Sequence, residues 1–304
     1  MLAVPAPVPE DGGWAFEVKW DGVRCVVGAP GDGTVRLAAR TGTDITGRYP
    51  ELAPLGALLG RRPAVLDGEI VVLDASGVPD FGLLQRRMGV TAPRRAAALA
   101  RTWPVRLVLF DVPRLDGRPL LRVPYEERRA VLAGLGLEGP YWSVPAHLAG
   151  RGGDAWRATR EHGYEGVVAK RLSSPYAPGV RSPHWRKARH LVTLDVVIGG
   201  WNAGRGGLGG LPGSVLVGVD EGAGLRYAGA VGSGLSGGER DELARYFRVL
   251  ARETSPFVGP VDVPAPHWVE PRLVAEVTFS GWTAAGLVRQ PVWHRLRPDL
   301  TRLD

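Results

Sequence analysis

A chain of 304 residues with 38 basic side chains keeps only three lysines: Lys19, Lys170 and Lys187. The other 35 basic residues are arginine. Arginine stays protonated in a protein, whereas lysine can be desolvated, lose its proton and become a nucleophile. Chance retention accounts for any one of the three about equally well, so their neighbours decide. Lys19 lies in "FEVKWDGVRCVV", residues 16–27, which alternates apolar and polar side chains like a half-buried strand leading into a turn and sets Asp21 and Arg24 close by. A lysine amine, with an ordinary pKa near ~10.4, attacks only where burial, neighbouring cations or a metal favour its neutral form. Such a site must be enclosed and cationic. Lys170 in "EGVVAKR" and Lys187 in "HWRKAR" sit among further positive charges, as a phosphate-bearing ligand requires. Convergence of all three would supply both the activation and a phosphate cradle.

Glycine follows an acidic residue at Asp21-Gly22, at Asp67-Gly68 before Glu69, and at Glu165-Gly166. Taken singly, each reads as a turn. Together they set carboxylates beside short apolar runs, an arrangement suited to a hard cation and to ribose hydroxyls, with Mg²⁺ shared between one or two carboxylates and substrate phosphates. Cys25 is the only cysteine, which rules out an internal disulfide and a cysteine-built zinc site. On its apolar strand it reads as a small buried hydrophobe. The six histidines lack close ligand-like spacing, and most of the ten tryptophans read as core, with Trp20 a candidate for lining a nucleotide pocket.

The elements that position these residues divide the chain in two. Residues 1–190 mix strands ("TVRLAARTG", "AVLDGEIVVLD", "RLVLFDV") with helices ("APRRAAALART", "VPYEERRAVLAGLG", "GGDAWRATREHG") without regular βαβα alternation, which predicts an α+β domain of antiparallel sheets. Residues 191–304 read as about five short strands with Gly-rich turns and one helix, "GGERDELARYFRVLARE", a pattern that fits a small Greek-key barrel of the OB type. "NAGRGGLGGLPG" lacks a phosphate loop's ending and precedes a strand, so it reads as a hairpin loop. The net charge of +7 points to a polyanionic partner. The first 190 residues carry 27 basic against 19 acidic groups and the rest 11 against 12, so the excess lies in the first domain. No apolar run approaches the ~20 residues of a membrane span, nor does the N-terminus read as a signal peptide, which predicts a soluble, cytoplasmic protein.

As a set, these motifs resemble those of the covalent nucleotidyltransferases, most closely the bacterial ATP-dependent DNA ligases and the ligase module of multi-domain end-joining enzymes. The resemblance covers essentially the whole chain. It implies a nucleotidyltransferase (adenylation) domain over 1–190 and an OB-fold domain over 191–304. "EVKWDG" with Arg24 is similar to the nucleophile motif, implying that Lys19 forms a lysyl-AMP phosphoramidate and that Glu17 and Arg24 hold the nucleotide. By the same resemblance Arg40 in "ARTGTDITGRYPEL" contacts phosphate, Glu69 in "LDGEIVV" meets the ribose hydroxyls, and Phe110 in "LFDVPRLDG" stacks on adenine. Glu165 with Asp21 bears the metal, while Lys170, Lys187, Arg189 and Arg297 face phosphates. Two positions depart from the family pattern. Arg189 replaces a second lysine in "RKAR", and Leu300 replaces the lysine that closes the terminal R-x-D-K motif, with Arg295 and Arg302 nearby.

The implied activity is ATP- and Mg²⁺- (or Mn²⁺-) dependent sealing of nicked duplex DNA by a monomer in repair or end joining, with Ku or other repair proteins acting in trans. The implied OB domain also swings to bring Arg297 to the nucleotide during adenylylation. Two alternatives stay open: an RNA ligase or GTP-using capping enzyme, and a nucleic-acid-binding homologue impaired in self-adenylylation through Leu300 and Arg189.

Overall fold

The computed structural model describes residues 1–301 except Gly150, Arg205, Ala223 and Ala284; Arg302 lies outside the described residues. The chain forms two compact units, Met1–His190 and Leu191–Asp304.

In chain order the first unit contains β1 (Leu2–Pro5), β2 (Trp14–Val18), β3 (Val23–Ala29), β4 (Arg36–Ala39), α1 (Leu55–Leu59), β5 (Ala64–Val71), α2 (Phe81–Gln85) and α3 (Pro93–Thr102). There follow β6 (Arg106–Leu115), β7 (Arg118–Pro119), α4 (Tyr125–Gly134), β8 (Trp142–Ser143), β9 (Leu148–Ala149), α5 (Gly152–Glu161), β10 (Gly166–Arg171) and β11 (Arg181–Arg189). Two largely antiparallel sheets result, in the orders β1-β11-β10-β2-β9 and β4-β3-β5-β6-β7, with β8 pairing β6. β3, β5 and β6 bury Cys25, Val27, Leu66, Ile70, Leu107 and Leu109 against Leu52, Leu55 and Leu132. Each fully buried aliphatic side chain contributes about 1.5–3 kcal/mol, which makes this cluster the main anchor of the unit. α5 packs Ala155 on Trp14, Phe16, Val167 and Ala169 of the other sheet, and ends two residues before Gly163, whose φ of +72° reverses the chain.

Two readings of local sequence change here. "FEVKWDGVRCVV" is two strands, β2 in one sheet and β3 in the other, joined by residues 19–22. Asp67-Gly68 makes no turn; it lies inside β5, where the register against β6 shifts, as glycine in a strand allows.

The second unit contains β12 (Val192–Ala203), β13 (Pro212–Asp220), β14 (Leu225–Val231), α6 (Gly237–Val249), β15 (Ala251–Arg252), β16 (Phe257–Val258), β17 (His267–Val269), β18 (Val274–Phe279) and β19 (Val292–Leu296). The five long strands pair as β19-β18-β12-β13-β14. A bridge from Ser233 to Val292 then joins the β14 end to β19, so the sheet curls on itself. α6 starts at a capping box in which Ser236 and Glu239 satisfy each other's backbone amides. The helix is shorter than its sequence pattern, because Ala251–Arg252 turns into strand β15. β19 likewise starts only at Val292, after Gln290 in the left-handed region (φ +49°) and Pro291 break the run. "NAGRGGLGGLPG" connects the antiparallel pair β12 and β13.

Candidate active site

The strap of residues 19–22 carries the chain from one sheet of the first unit to the other, and close backbone approaches fix its course. A Cβ on Gly22 would fall 2.2 Å from the Ile70 carbonyl oxygen, so only glycine passes β5 here. The Lys19 amide donates to the Gly166 carbonyl (2.9 Å). Gly166 itself has φ +154°, and a Cβ there would lie 2.0 Å from the Ala188 carbonyl oxygen. Glycine at both positions of this junction is thus required by backbone packing.

The pairing of β2, β10 and β11 sets Glu17 beside Val168 and Lys187 on one rung, and Ala15 beside Lys170 and Trp185 two rungs on. On the facing sheet Arg24 of β3 pairs with Glu69 of β5. These rungs border a cavity of about 280 Å³. All three lysines line it, together with Arg24, Arg40 and Arg181; Glu17 and Glu69 are its only acidic lining residues among those described. Trp20, Phe110 and Trp185 supply aromatic surface. The site is enclosed and cationic, as binding of a polyphosphate demands.

Lys170 is 1% exposed, and its ammonium lies 4.2 Å from the Phe110 ring centroid and 4.4 Å from that of Trp185. It pairs with Glu17 Oε2 at 2.6 Å. Burial pushes its pKa down against the pull of Glu17. Desolvation, with Arg189, Lys19 and Arg181 adding to it, also lowers that of Lys187. An anion in the cavity would relieve both. Glu69 shows the opposite case: desolvation, opposed by Arg24 and Lys19, pushes its pKa up to about 8. A carboxyl that is largely protonated at neutral pH can donate to a ribose hydroxyl as well as accept from one.

Lys19 Nζ contacts Glu165, whose other oxygen pairs with Arg189 Nε (2.8 Å). The Arg24 guanidinium is held on both carboxylate oxygens of the fully buried Asp67, which also accepts the Tyr176 hydroxyl (2.6 Å). Arg24 and Lys170 both lie over the Phe110 ring, at 4.7 and 4.2 Å from its centroid, so a base stacked on that ring would compete with these cations. Cys25 is fully buried and its thiol is pushed up to about 12, consistent with an inert core residue.

The structure therefore gathers Glu17, Lys19, Arg24, Arg40, Glu69, Phe110, Lys170 and Lys187 around one cavity. Glu165 and Arg189 stand one contact behind Lys19, and Asp21 is half-buried in the strap without lining the cavity. Arg297 belongs to the second unit, where it is bidentate to Asp299 (2.9 and 2.7 Å) and pairs with Asp195 (2.8 Å) and Glu276 (3.4 Å). Leu300, in the position of the family lysine, is 43% exposed. Among the described residues no three His, Cys, Asp or Glu side chains form a metal-holding group. A cation held chiefly by substrate phosphates needs no such group. Sequence reasoning missed Asp67 as the anchor of Arg24, and Tyr125, Arg128 and Arg129 of α4 as supports. The signal for the last three was their spacing, since positions i, i+3 and i+4 share a helix face.

Two unit folds of this kind, with one lysine-lined cavity, are the features of a covalent nucleotidyltransferase. Residues 1–189 match the ATP dependent DNA ligase domain and residues 209–300 the ATP dependent DNA ligase C terminal region. The chain belongs to the ATP-dependent DNA ligase family. It is 44% identical over 293 residues, 94% of its length, to the multifunctional non-homologous end joining DNA repair protein LigD of Mycobacterium tuberculosis. With the LigD of Pseudomonas aeruginosa it shares 37% over 98% of its length. The chain spans about a third of these relatives, 36% and 35% respectively. Among solved structures, a mycobacterial DNA ligase D complexed with ATP and MES is 42% identical, covers 99% of this chain and 95% of that one, and superposes with a TM-score of 0.59. The α+β nucleotidyltransferase fold followed by an OB fold is thereby shown.

Proposed function

We propose that this chain seals nicks in duplex DNA through a lysyl-AMP intermediate. The observation that carries the reading is the convergence of all three lysines on one cavity whose lining is six cations against two carboxyls. In the first step Lys19, freed from Glu165 and having given up one ammonium proton to water, attacks the α-phosphorus of ATP; a P–N bond forms, the bond to the β-phosphate breaks, pyrophosphate leaves, and a second nitrogen proton passes to water. Lys170 and Lys187 stabilise charge on the phosphoryl oxygens, Glu69 meets the ribose, and the base lies against Phe110. A DNA 5′-phosphate then displaces the lysine from AMP, and the neighbouring 3′-hydroxyl displaces AMP to close the strand.

Mg²⁺ fits as a hard cation on substrate phosphates, with Glu165 as the carboxylate that would hold it and Asp21 nearby; it supplies charge neutralisation. Nicked double-stranded DNA is the proposed substrate, end joining the setting suggested by the relatives' names, and Ku or another repair protein a partner in trans. The protein is proposed to work as a monomer in the cytoplasm; no helix among the described residues is long and apolar enough to cross a membrane.

Incubation with α-labelled ATP or GTP tests the reading: a labelled protein with ATP and Mg²⁺, and sealing of nicked DNA over nicked RNA, are expected. A second reading, loss of step one alone, is favoured by Leu300, which leaves the terminal motif without its lysine. In that case the protein stays unlabelled yet seals a nick that is already adenylylated. Failure of both reactions overturns the enzyme reading.

A further inference from the structure

Glu17 lines the cavity, yet both of its carboxylate oxygens are already engaged. Oε1 accepts the Tyr125 hydroxyl, with Arg129 Nε at 3.8 Å, and Oε2 faces Lys170 Nζ at 2.6 Å. Tyr125 is the first residue of α4, is fully buried, and lays its ring 5.1 Å from the same ammonium. The helix has little freedom to drift. One turn further on, Arg128 donates to both oxygens of Asp111 (2.8 and 2.9 Å) and to the Ser174 carbonyl (3.0 Å), and Asp111 is the neighbour of Phe110 on β6. Lys170 Nζ makes no well-formed hydrogen bond among the described residues, its pairing with Glu17 being close but poorly aligned. Its position in the wall thus depends on one carboxylate and three aromatic faces.

We infer that Tyr125 is a positioning residue: by fixing the Glu17 carboxylate it holds both Glu17 and the Lys170 ammonium paired with it in the wall of the cavity. This rests on the ligase reading. Tyr125 is not among the residues lining the cavity, so its hydroxyl acts on ATP only through Glu17.

The test is self-adenylylation kinetics of Tyr125→Phe, which removes only the hydroxyl. A hydrogen bond to a charged group typically contributes enough for about a tenfold effect. KM for ATP is expected to rise about tenfold with kcat within about threefold, because the Tyr125–Glu17 contact shapes the wall against which ATP binds and takes no part in bond making. In a Glu17→Gln background, which itself raises KM at least as much, the added Tyr125→Phe change should fall below about twofold. An unchanged KM in Tyr125→Phe or in Glu17→Gln overturns the inference, as does a full tenfold increment persisting in the double variant, which marks a merely structural tyrosine. If the wild-type protein acquires label while Tyr125→Phe matches it, only this inference fails. A wild-type protein that never acquires label removes the ligase reading and the inference together.

Discussion

Two arginine–carboxylate knots, one in each unit, differ in solvation more than in geometry. Arg128 and Asp111 form a two-pronged pair in which both side chains are 0% exposed. Arg297 makes the same two-pronged contact with Asp299, but those side chains are 20% and 60% exposed. In the first unit charge is used to fix geometry beneath a cavity. In the second the arginine is held mainly by two exposed carboxylates, Asp299 and Asp195, with the more buried Glu276 at 3.4 Å. Buried pairs are strongly destabilising to break, whereas exposed ones contribute little.

The largest effect should come from the nucleophile. Lys19→Ala is expected to abolish AMP labelling, a loss of more than about 10³-fold, since Lys19 is the proposed nucleophile. Its melting temperature should stay near that of the wild type, because Glu165 keeps its Arg189 partner. Labelled Lys19→Ala protein, detected by autoradiography, would sink the assignment.

Next comes the contrast between the knots. Arg128→Ala strands Asp111 in the core and should cost about 3–5 kcal/mol in urea denaturation. Arg297→Ala should leave the denaturation midpoint essentially unchanged while slowing self-adenylylation. Equal stability losses in the two variants would erase the distinction between buried and exposed pairs.

Glu69 sharpens the same contrast through pH. Its carboxyl is raised from the ordinary 4.5 to about 8, so over that window the folded protein keeps a proton that the unfolded chain has lost. Its stabilising contribution is therefore complete below 4.5 and is lost as pH rises through about 8. Glu69→Gln cannot ionise. Its melting temperature should match the wild type near pH 4 and exceed it at pH 8.5, with weaker ATP binding throughout. A stability difference that does not grow with pH would show that Glu69 is charged in the folded protein.

Much of the site was legible because lysine is so rare in this chain. Lys19, Lys170 and Lys187 could be singled out before any fold was known, and alternation along "FEVK" was enough to mark a strand, whereas nothing in "HWRKAR" beyond its charge was read and its place in β11 came only from the structure. The junction between sheets was not legible, since nothing local in "KWDG" reveals that β2 and β3 pair with different neighbours. The α4 supports were hidden for another reason. Arg128 and Arg129 look like a solvated helix face, and only carboxylates distant in sequence, Asp111 and Glu17, make their burial tolerable. Asp67-Gly68 misled in the same way, because a bulged strand and a turn ask for the same residues.

The smallest predicted effect concerns Leu300, whose side chain is 43% exposed one residue beyond Asp299. The backbone there is already turned, with the Leu300 and Thr301 amides both donating to the Arg297 carbonyl (3.1 Å each). A lysine at 300 can therefore enter without rebuilding the turn. One exposed charge near a phosphate group contributes on the order of 1 kcal/mol, about fivefold in rate. Leu300→Lys should therefore speed self-adenylylation about fivefold in single-turnover assays and leave sealing of a pre-adenylylated nick unchanged, because pyrophosphate takes part only in the first step. The gain should also shrink as salt rises, since an exposed charge is screened whereas the buried Lys170 is much less so. A gain in both reactions would point instead to a general increase in DNA affinity, and no gain in either would mean that Arg297 already supplies what the missing lysine provides elsewhere in the family.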